Sequence, residues 1–218
     1  MNQPKILCFT SSYHRPKMLR SCIEDVKNQS YQNLIHTINI THDPNEQGCD
    51  YSCLISDLLT EKQIIKDTVN QHTHLNNLYA IMSVPDYLSY DLFVKFDDDD
   101  IYLKNYLQEI VDTFEGNDKI DIVSSYIRNQ LNGHTLYPGL YDNLGNEKLN
   151  YHMPMTYAFN KKALLAITKI TNLWHFDDVL WREEWNKAGL INETVSNSRN
   201  IIWYIHGKNV STGNFLKQ

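Results

Sequence analysis

The chain has 218 residues, 42% hydrophobic and 21% charged, with a formal net charge of −6 and a pI near 5.8. That length and composition suit one globular domain with a sizeable core and exclude a disordered chain. The acidic balance argues against a nucleic-acid partner or a general anionic-membrane binder, both of which require a basic field.

The opening residues MNQPKILCFTSSYHRP hold no long apolar segment of the signal-peptide kind. Nowhere do 18 apolar residues run together, so no transmembrane segment is expected. KILCFT (5–10) reads as a strand that runs into a loop at Thr10-Ser11-Ser12. Pro16 then opens a helix whose apolar positions Met18, Leu19, Cys22, Ile23 and Val26 share one face. NLIHTINIT (33–41) is a second strand, closed by the turn cluster His42-Asp43-Pro44-Asn45. Residues 45–61 stay ambiguous between loop and short helix, QIIKDTV (63–69) is a third strand, and 73–84 form a helix stopped by Pro85. The four cysteines, Cys8, Cys22, Cys49 and Cys53, all fall in this first quarter. Cys49 and Cys53, with His36 and His42 upstream, lack the paired spacing of a zinc site, so reduced thiols in a cytoplasmic protein are expected.

DLFVKF (91–96) is a fourth strand, followed by four consecutive aspartates, Asp97 to Asp100. A helix over 102–114 follows, through Tyr102, Leu103, Tyr106, Leu107, Ile110 and Val111, and then a fifth strand, DIVSSYI (121–127). Residues 128–158 read as loops with short strands, 160–169 and 178–188 as helices, and IIWYIH (201–206) as a last strand. The alternation predicts an α/β fold with a mostly parallel sheet and helices on its faces, in a single domain over 1–218.

Folding gives no reason to crowd four like charges against a core. Two unit charges ~4 Å apart repel by about 1 kcal/mol in water and about 4 at an effective dielectric near 20. Either the run is a solvated turn whose Asp100 favours the next helix N-terminus, or a cation belongs there. In open α/β sheets ligands bind beyond the carboxyl ends of strands. If extended backbone persists past the strand, Asp97 and Asp99 fall on one side, a carboxylate pair that suits a hard divalent ion shared with phosphate oxygens.

SSYHRPKMLRSCIEDVKNQSYQN resembles the opening of the GT-A glycosyltransferases of inverting family 2, written T-Y-N-R-P-x-x-L, then a helix and Q-x-Y. Ser12-Tyr13-His14-Arg15-Pro16 covers that motif with Ser for Thr and His for Asn, and Leu19, Gln29 and Tyr31 fall in place. VKFDDDDIYLKNYL resembles the family's strand followed by D-x-D-D, with the motif at Asp97-Asp98-Asp99. FDDVLWREEWNKAGL resembles its E-D-x-x-L-x-x-R helix, from Asp177-Asp178 to Gly189, with Asp-Asp for Glu-Asp, Glu184 where an Arg is expected, and Arg182 nearby. His206 in WYIHGKNVS stands where many members carry a metal-ligating histidine. Nothing resembles the Q-x-x-R-W motif of processive synthases.

The resemblance implies a GT-A-like fold with a Rossmann-like nucleotide-sugar half (about 1–127) and a loop-rich acceptor half (about 128–218). It implies inverting, non-processive transfer of a sugar from a nucleoside-diphosphate donor to a hydroxyl of a glycan or lipid-linked acceptor, in bacterial surface polysaccharide synthesis. Asp99 and His206, with Asp97, would hold a divalent metal ion, Mn²⁺ or Mg²⁺. Thr10, Ser12, Arg15, Asp43, Asn77, Asp97 and Asp98 would bind the donor. Asp43 is either an acceptor for uracil N3–H, favouring UDP-sugars, or simply the turn residue before Pro44. Asp178, with Asp177 beside it, is either the general base or a helix N-cap, and the two roles are compatible. Peripheral association with the inner face of a membrane stays open. Two other readings compete: an inactive GT-A-like module that binds nucleotide or protein, and a sugar nucleotidyltransferase. The latter lacks its glycine-rich loop, since TSSYHRP follows the first strand.

Overall fold

The computed structural model describes residues 3–42, 51, 57, 59–125, 129–132, 135–138, 157–173, 177–195 and 200–205. Eleven strands and five α-helices are described. The strands are β1 (Ile6–Tyr13), β2 (Leu34–His42), β3 (Gln63–Val69), β4 (Leu92–Lys95), β5 (Ile101–Tyr102), β6 (Ile122–Ser125), β7 (Asn129–Asn132), β8 (Thr135–Pro138), β9 (Ala158–Asn160), β10 (Asn192–Val195) and β11 (Ile201–Ile205). The helices are α1 (Pro16–Lys27), α2 (Thr73–Met82), α3 (Tyr106–Gly116), α4 (Lys161–Ile167) and α5 (Asp177–Lys187).

Seven strands form the main sheet in the order β10-β6-β9-β4-β1-β2-β3. Every pairing in it is parallel except those of β9, which runs antiparallel between β4 and β6. The expected α/β architecture, a mostly parallel central sheet flanked by helices, is therefore what the chain adopts. A smaller sheet, β5-β11-β7-β8, stands apart from it.

β1 shows why the sheet is covered on both sides. Its residues 6–10 are all buried, and alternate side chains point to opposite faces. Ile6 and Cys8 join a core with Cys22 and Val26 of α1 and Tyr106, Leu107 and Ile110 of α3. Leu7 and Phe9 join another with Leu78 and Ile81 of α2, Leu164 of α4, and Trp181 and Trp185 of α5. Pro16 starts α1, where its fixed φ and missing N–H cost nothing.

Four sequence expectations need correction. β1 does not end at residue 10: it pairs with β2 in register from Ile6↔Leu34 through Tyr13↔Thr41, so Thr10, Ser11 and Ser12 lie in the sheet and not in a loop. The helix expected from 102 starts at Tyr106, because Ile101 and Tyr102 pair with β11 and the Tyr102 N–H donates to Asp25 Oδ2 at 2.8 Å. β9 and β10, three and four residues long, are too short to carry a period and were not foreseen as strands. Extended pairing also stops before the aspartates. β4 ends at Lys95, the Phe96 N–H makes a last bond to the Phe9 carbonyl at 2.9 Å, and the chain turns from Asp98. Alternation therefore does not decide where the four carboxylates point.

Candidate functional site

β1 runs beside β4 as far as Phe9↔Lys95 and continues past it to Tyr13, so the polar end of β1 lies beside the acidic turn that follows β4. After Tyr13 the backbone of His14 takes φ 55, in the left-handed region. Asn, Asp and His tolerate that region better than most residues, which suits a histidine at this bend. The bend aims Arg15 across at the aspartates.

Arg15 Nη2 lies 2.7 Å from Asp98 Oδ1, and its Nη1 donates to Asp99 Oδ2. Ser12 Oγ donates to the other Asp98 oxygen at 2.6 Å. Burial works against the guanidinium charge, but the aspartates outweigh it and hold Arg15 above its ordinary range. Burial pushes the Asp98 carboxyl up, against the pull of Arg15. Asp97 is also raised by burial, with Lys95 opposing. Its backbone N–H donates to the Tyr102 hydroxyl at 2.9 Å, which pins the start of the acidic turn.

A second cation sits beneath. Lys95, the last residue of β4, reaches Asp97 Oδ1 at 3.3 Å and Asp177 Oδ2 at 3.1 Å. Asn77 Nδ2 donates to the same Asp177 oxygen at 2.8 Å, while Ser11 Oγ donates to Asn77 Oδ1 at 2.7 Å. Burial alone would raise Asp177, yet Lys95 and the hydrogen bonds from Lys95, Thr73 and Asn77 win and leave it below the usual carboxylate range. The question of which cation the four aspartates face thus has an answer within the chain: two of them are Arg15 and Lys95.

Of the residues expected at the site, Ser12, Arg15, Asn77, Asp97, Asp98, Asp99 and Asp177 come together here. Thr10 is fully buried one layer below, with its hydroxyl 2.9 Å from His36 Nε2 and 3.6 Å from Cys22 Sγ. Asp178 is the second residue of α5, but its side chain lies outside the described residues. Asp43 and His206 lie outside them as well, as do Cys49 and Cys53. His72 accepts from the His74 N–H at 3.2 Å as the N-cap of α2. Sequence reasoning missed Lys95 and the tyrosines that frame the loop, Tyr51 (accepting from the Arg15 N–H at 3.1 Å) and Tyr102. The available signal for Lys95 was a lysine inside the apolar run LFVKF, directly before the acids.

Asp97 and Asp99 are hard oxygen donors whose side chains keep 28% and 12% exposure, so their chemistry and access fit a divalent ion that also takes phosphate oxygens. Asp98, at 0%, has no such access. Among the described residues no group of three or more His, Cys, Asp or Glu side chains is arranged to hold a metal ion. Among them, too, no helix is long and apolar enough to cross a membrane.

No family model matches the sequence, and no curated protein matches it. Among solved structures the chain is similar to S. aureus TarS. Against TarS residues 1–349 the TM-score is 0.66 at 12% identity, covering 92% of this chain and 60% of that one. Against the same TarS fragment in complex with UDP-GlcNAc the TM-score is 0.67 at 12% identity, covering 94% and 60%. Against TarS itself it is 0.64 at 12% identity, covering 92% and 37%. This chain thus spans less than two thirds of the TarS chains it matches, and at this identity the likeness is one of fold.

Proposed function

We propose that this chain is a metal-dependent, inverting, non-processive glycosyltransferase that moves a sugar from a nucleoside-diphosphate donor, UDP-sugars favoured, to a hydroxyl of a glycan or lipid-linked acceptor. The observation that carries the reading is the meeting of Arg15, Asp97, Asp98 and Asp99 at the carboxyl edge of the sheet, where nucleotides bind in such folds. The likeness to TarS, crystallised with UDP and with UDP-GlcNAc, supports the choice of donor. The proposal takes 1–218 as one GT-A-like domain, with donor half about 1–127 and acceptor half about 128–218. It places the enzyme in the cytoplasm, in bacterial surface polysaccharide synthesis.

In this reading Asp99 and Asp97, with His206, hold a Mn²⁺ or Mg²⁺ ion, which when bound supplies Lewis-acid stabilisation of the departing diphosphate. Arg15 leaves its aspartates to pair with the diphosphate, where a planar guanidinium suits phosphate oxygens. Asp43 accepts from the uracil N3–H. Ser12, Asn77 and Asp98, with Thr10 beneath, shape the donor pocket. Asp178 takes the proton of the acceptor hydroxyl as that oxygen attacks the anomeric carbon. The bond from that carbon to the diphosphate breaks, and the nucleotide leaves with the electron pair. Asp177, held as an anion by Lys95 and Asn77, anchors the start of α5 and so aims its neighbour.

The test is thermal unfolding with UDP, other nucleoside diphosphates and UDP-sugars, each with Mn²⁺, Mg²⁺ or chelator, followed by an assay of UDP release. A ligand at ~100 times its dissociation constant adds about 2.7 kcal/mol of stability. Metal-dependent stabilisation by UDP with acceptor-dependent UDP release is expected. UDP binding without turnover over a broad acceptor panel would favour an inactive module, a reading that Arg15's hold on Asp98 and Asp99 also accommodates. No shift with any nucleotide would sink both.

A further inference from the structure

Leu92, Phe93 and Val94 of β4 are buried as an apolar strand should be, and then Lys95 is buried too, at 6% exposure. Taking an ammonium out of water is costly, and a buried ion pair contributes little stability that a well-packed apolar side chain would not. Stability alone does not explain this lysine. Its partners suggest what does.

Lys95 Nζ lies between two carboxylates from distant parts of the chain. Asp97 belongs to the acidic turn on the donor side, at 3.3 Å, and Asp177 is the first residue of α5, at 3.1 Å. Asp177 is also tied to α2, through Asn77 at 2.8 Å and through its own N–H to Thr73 Oγ1 at 3.4 Å. Asn77 is tied in turn to β1 through Ser11. Two elements thus meet the first residue of α5 directly, β4 through Lys95 and α2 through Asn77 and Thr73, and Lys95 also joins it to the acidic turn.

We propose that Lys95 is a positioning residue for glycosyl transfer, its ammonium fixing the spacing between Asp97 on the donor side and the first turn of α5, which carries Asp178. This inference rests on the glycosyltransferase reading. Lys95 is too buried to touch substrate and acts through Asp97 and the helix. Misplacing reacting groups by ~1 Å costs about 100-fold in rate, the scale expected when this spacing is lost.

The experiment compares Lys95→Gln and Lys95→Arg with the wild-type chain by melting temperature, donor KM and kcat. In Lys95→Gln the two carboxylates lose their shared cation, and kcat falls about 100-fold while donor KM stays within about threefold. Lys95→Arg keeps a cation between the acids and keeps the fold, but its broader planar group re-spaces them, and kcat still falls about 10-fold. Should Lys95→Gln fail to fold, the Arg variant decides. A folded variant with wild-type kcat overturns the proposal, as does a loss confined to donor KM. A wild-type chain that neither binds nucleotide nor turns over overturns the glycosyltransferase reading and this inference with it, an outcome visible before any variant is made.

Discussion

Trp181 Nε1 donates a hydrogen bond to His74 Nδ1 at 2.7 Å, with both side chains fully buried, and this one contact settles the protonation of the histidine. An indole N–H only donates, so Nδ1 must be bare and Nε2 must carry the proton. The imidazolium would place two N–H groups against each other. Burial acts in the same direction and lowers His74 to about 4, with the nearby Asp177 opposing and His72 adding to the shift.

The pH dependence follows from that shift. A histidine whose folded pKa lies below its unfolded value of 6.5 contributes stability that is whole above 6.5 and is lost as pH falls toward about 4. The comparison is with His74→Gln, which offers Trp181 an acceptor but does not titrate. The stability difference between wild type and variant is expected to be largest near pH 7.5. Below 6.5 it shrinks by at most about 1.4 kcal/mol per pH unit. Raised carboxylates such as Asp25, at about 6, have the opposite sign but are common to both proteins and cancel in the difference. Urea unfolding of both at pH 7.5, 6 and 5 checks it; a constant gap would show that His74 does not titrate differently on folding.

Arg15→Met leaves Asp98 buried without its cation. Removing one partner of a buried pair costs 3–5 kcal/mol, and the 27% exposure of the guanidinium reduces this to about 2 kcal/mol. The orphaned carboxyl takes a proton rather than stay charged, which limits the loss further. Adding Asp98→Asn should return part of the stability, and denaturant midpoints of the single and double variants measure it. A double variant no more stable than Arg15→Met would mean that the charge of Asp98 is not the source of the cost.

Asp178→Asn separates chemistry from binding. With the proposed base replaced by an isostere that cannot accept the proton, kcat should drop about 10²–10⁴-fold while UDP still raises the melting temperature as in wild type. UDP release and thermal shift, measured on the same preparation, give both numbers. An active Asn variant removes Asp178 as the base.

Gly189 ends the turn after α5 with φ +63, and a Cβ there would meet nothing within 4 Å. Gly189→Ala therefore tests backbone conformation alone, and about 1 kcal/mol of destabilisation is expected from the left-handed φ. Thermal unfolding reads it; no change in stability would mean that the chain readily leaves that conformation.

What the sequence determined by itself is what local pattern carries. The apolar face of α1, the extent of β3 at 63–69, the stop at Gly189 and the alternation that yields a mostly parallel sheet all follow from periodicity and from the backbone preferences of single residues. The acidic run by itself called for counter-charge or solvent, because like charges repel wherever the chain goes. Tertiary structure alone decided which cations those are, since Arg15 is brought to Asp98 and Asp99 by a left-handed bend at His14, and Lys95 to Asp177 by a strand and a helix start 82 residues apart in the sequence. It also decided that Tyr102 is a strand residue, because its partner Ile201 lies in the last strand, where no local period could reach. Contacts between distant segments set register, burial and ionisation, and these turn a legible list of acidic and basic residues into one arrangement of charge.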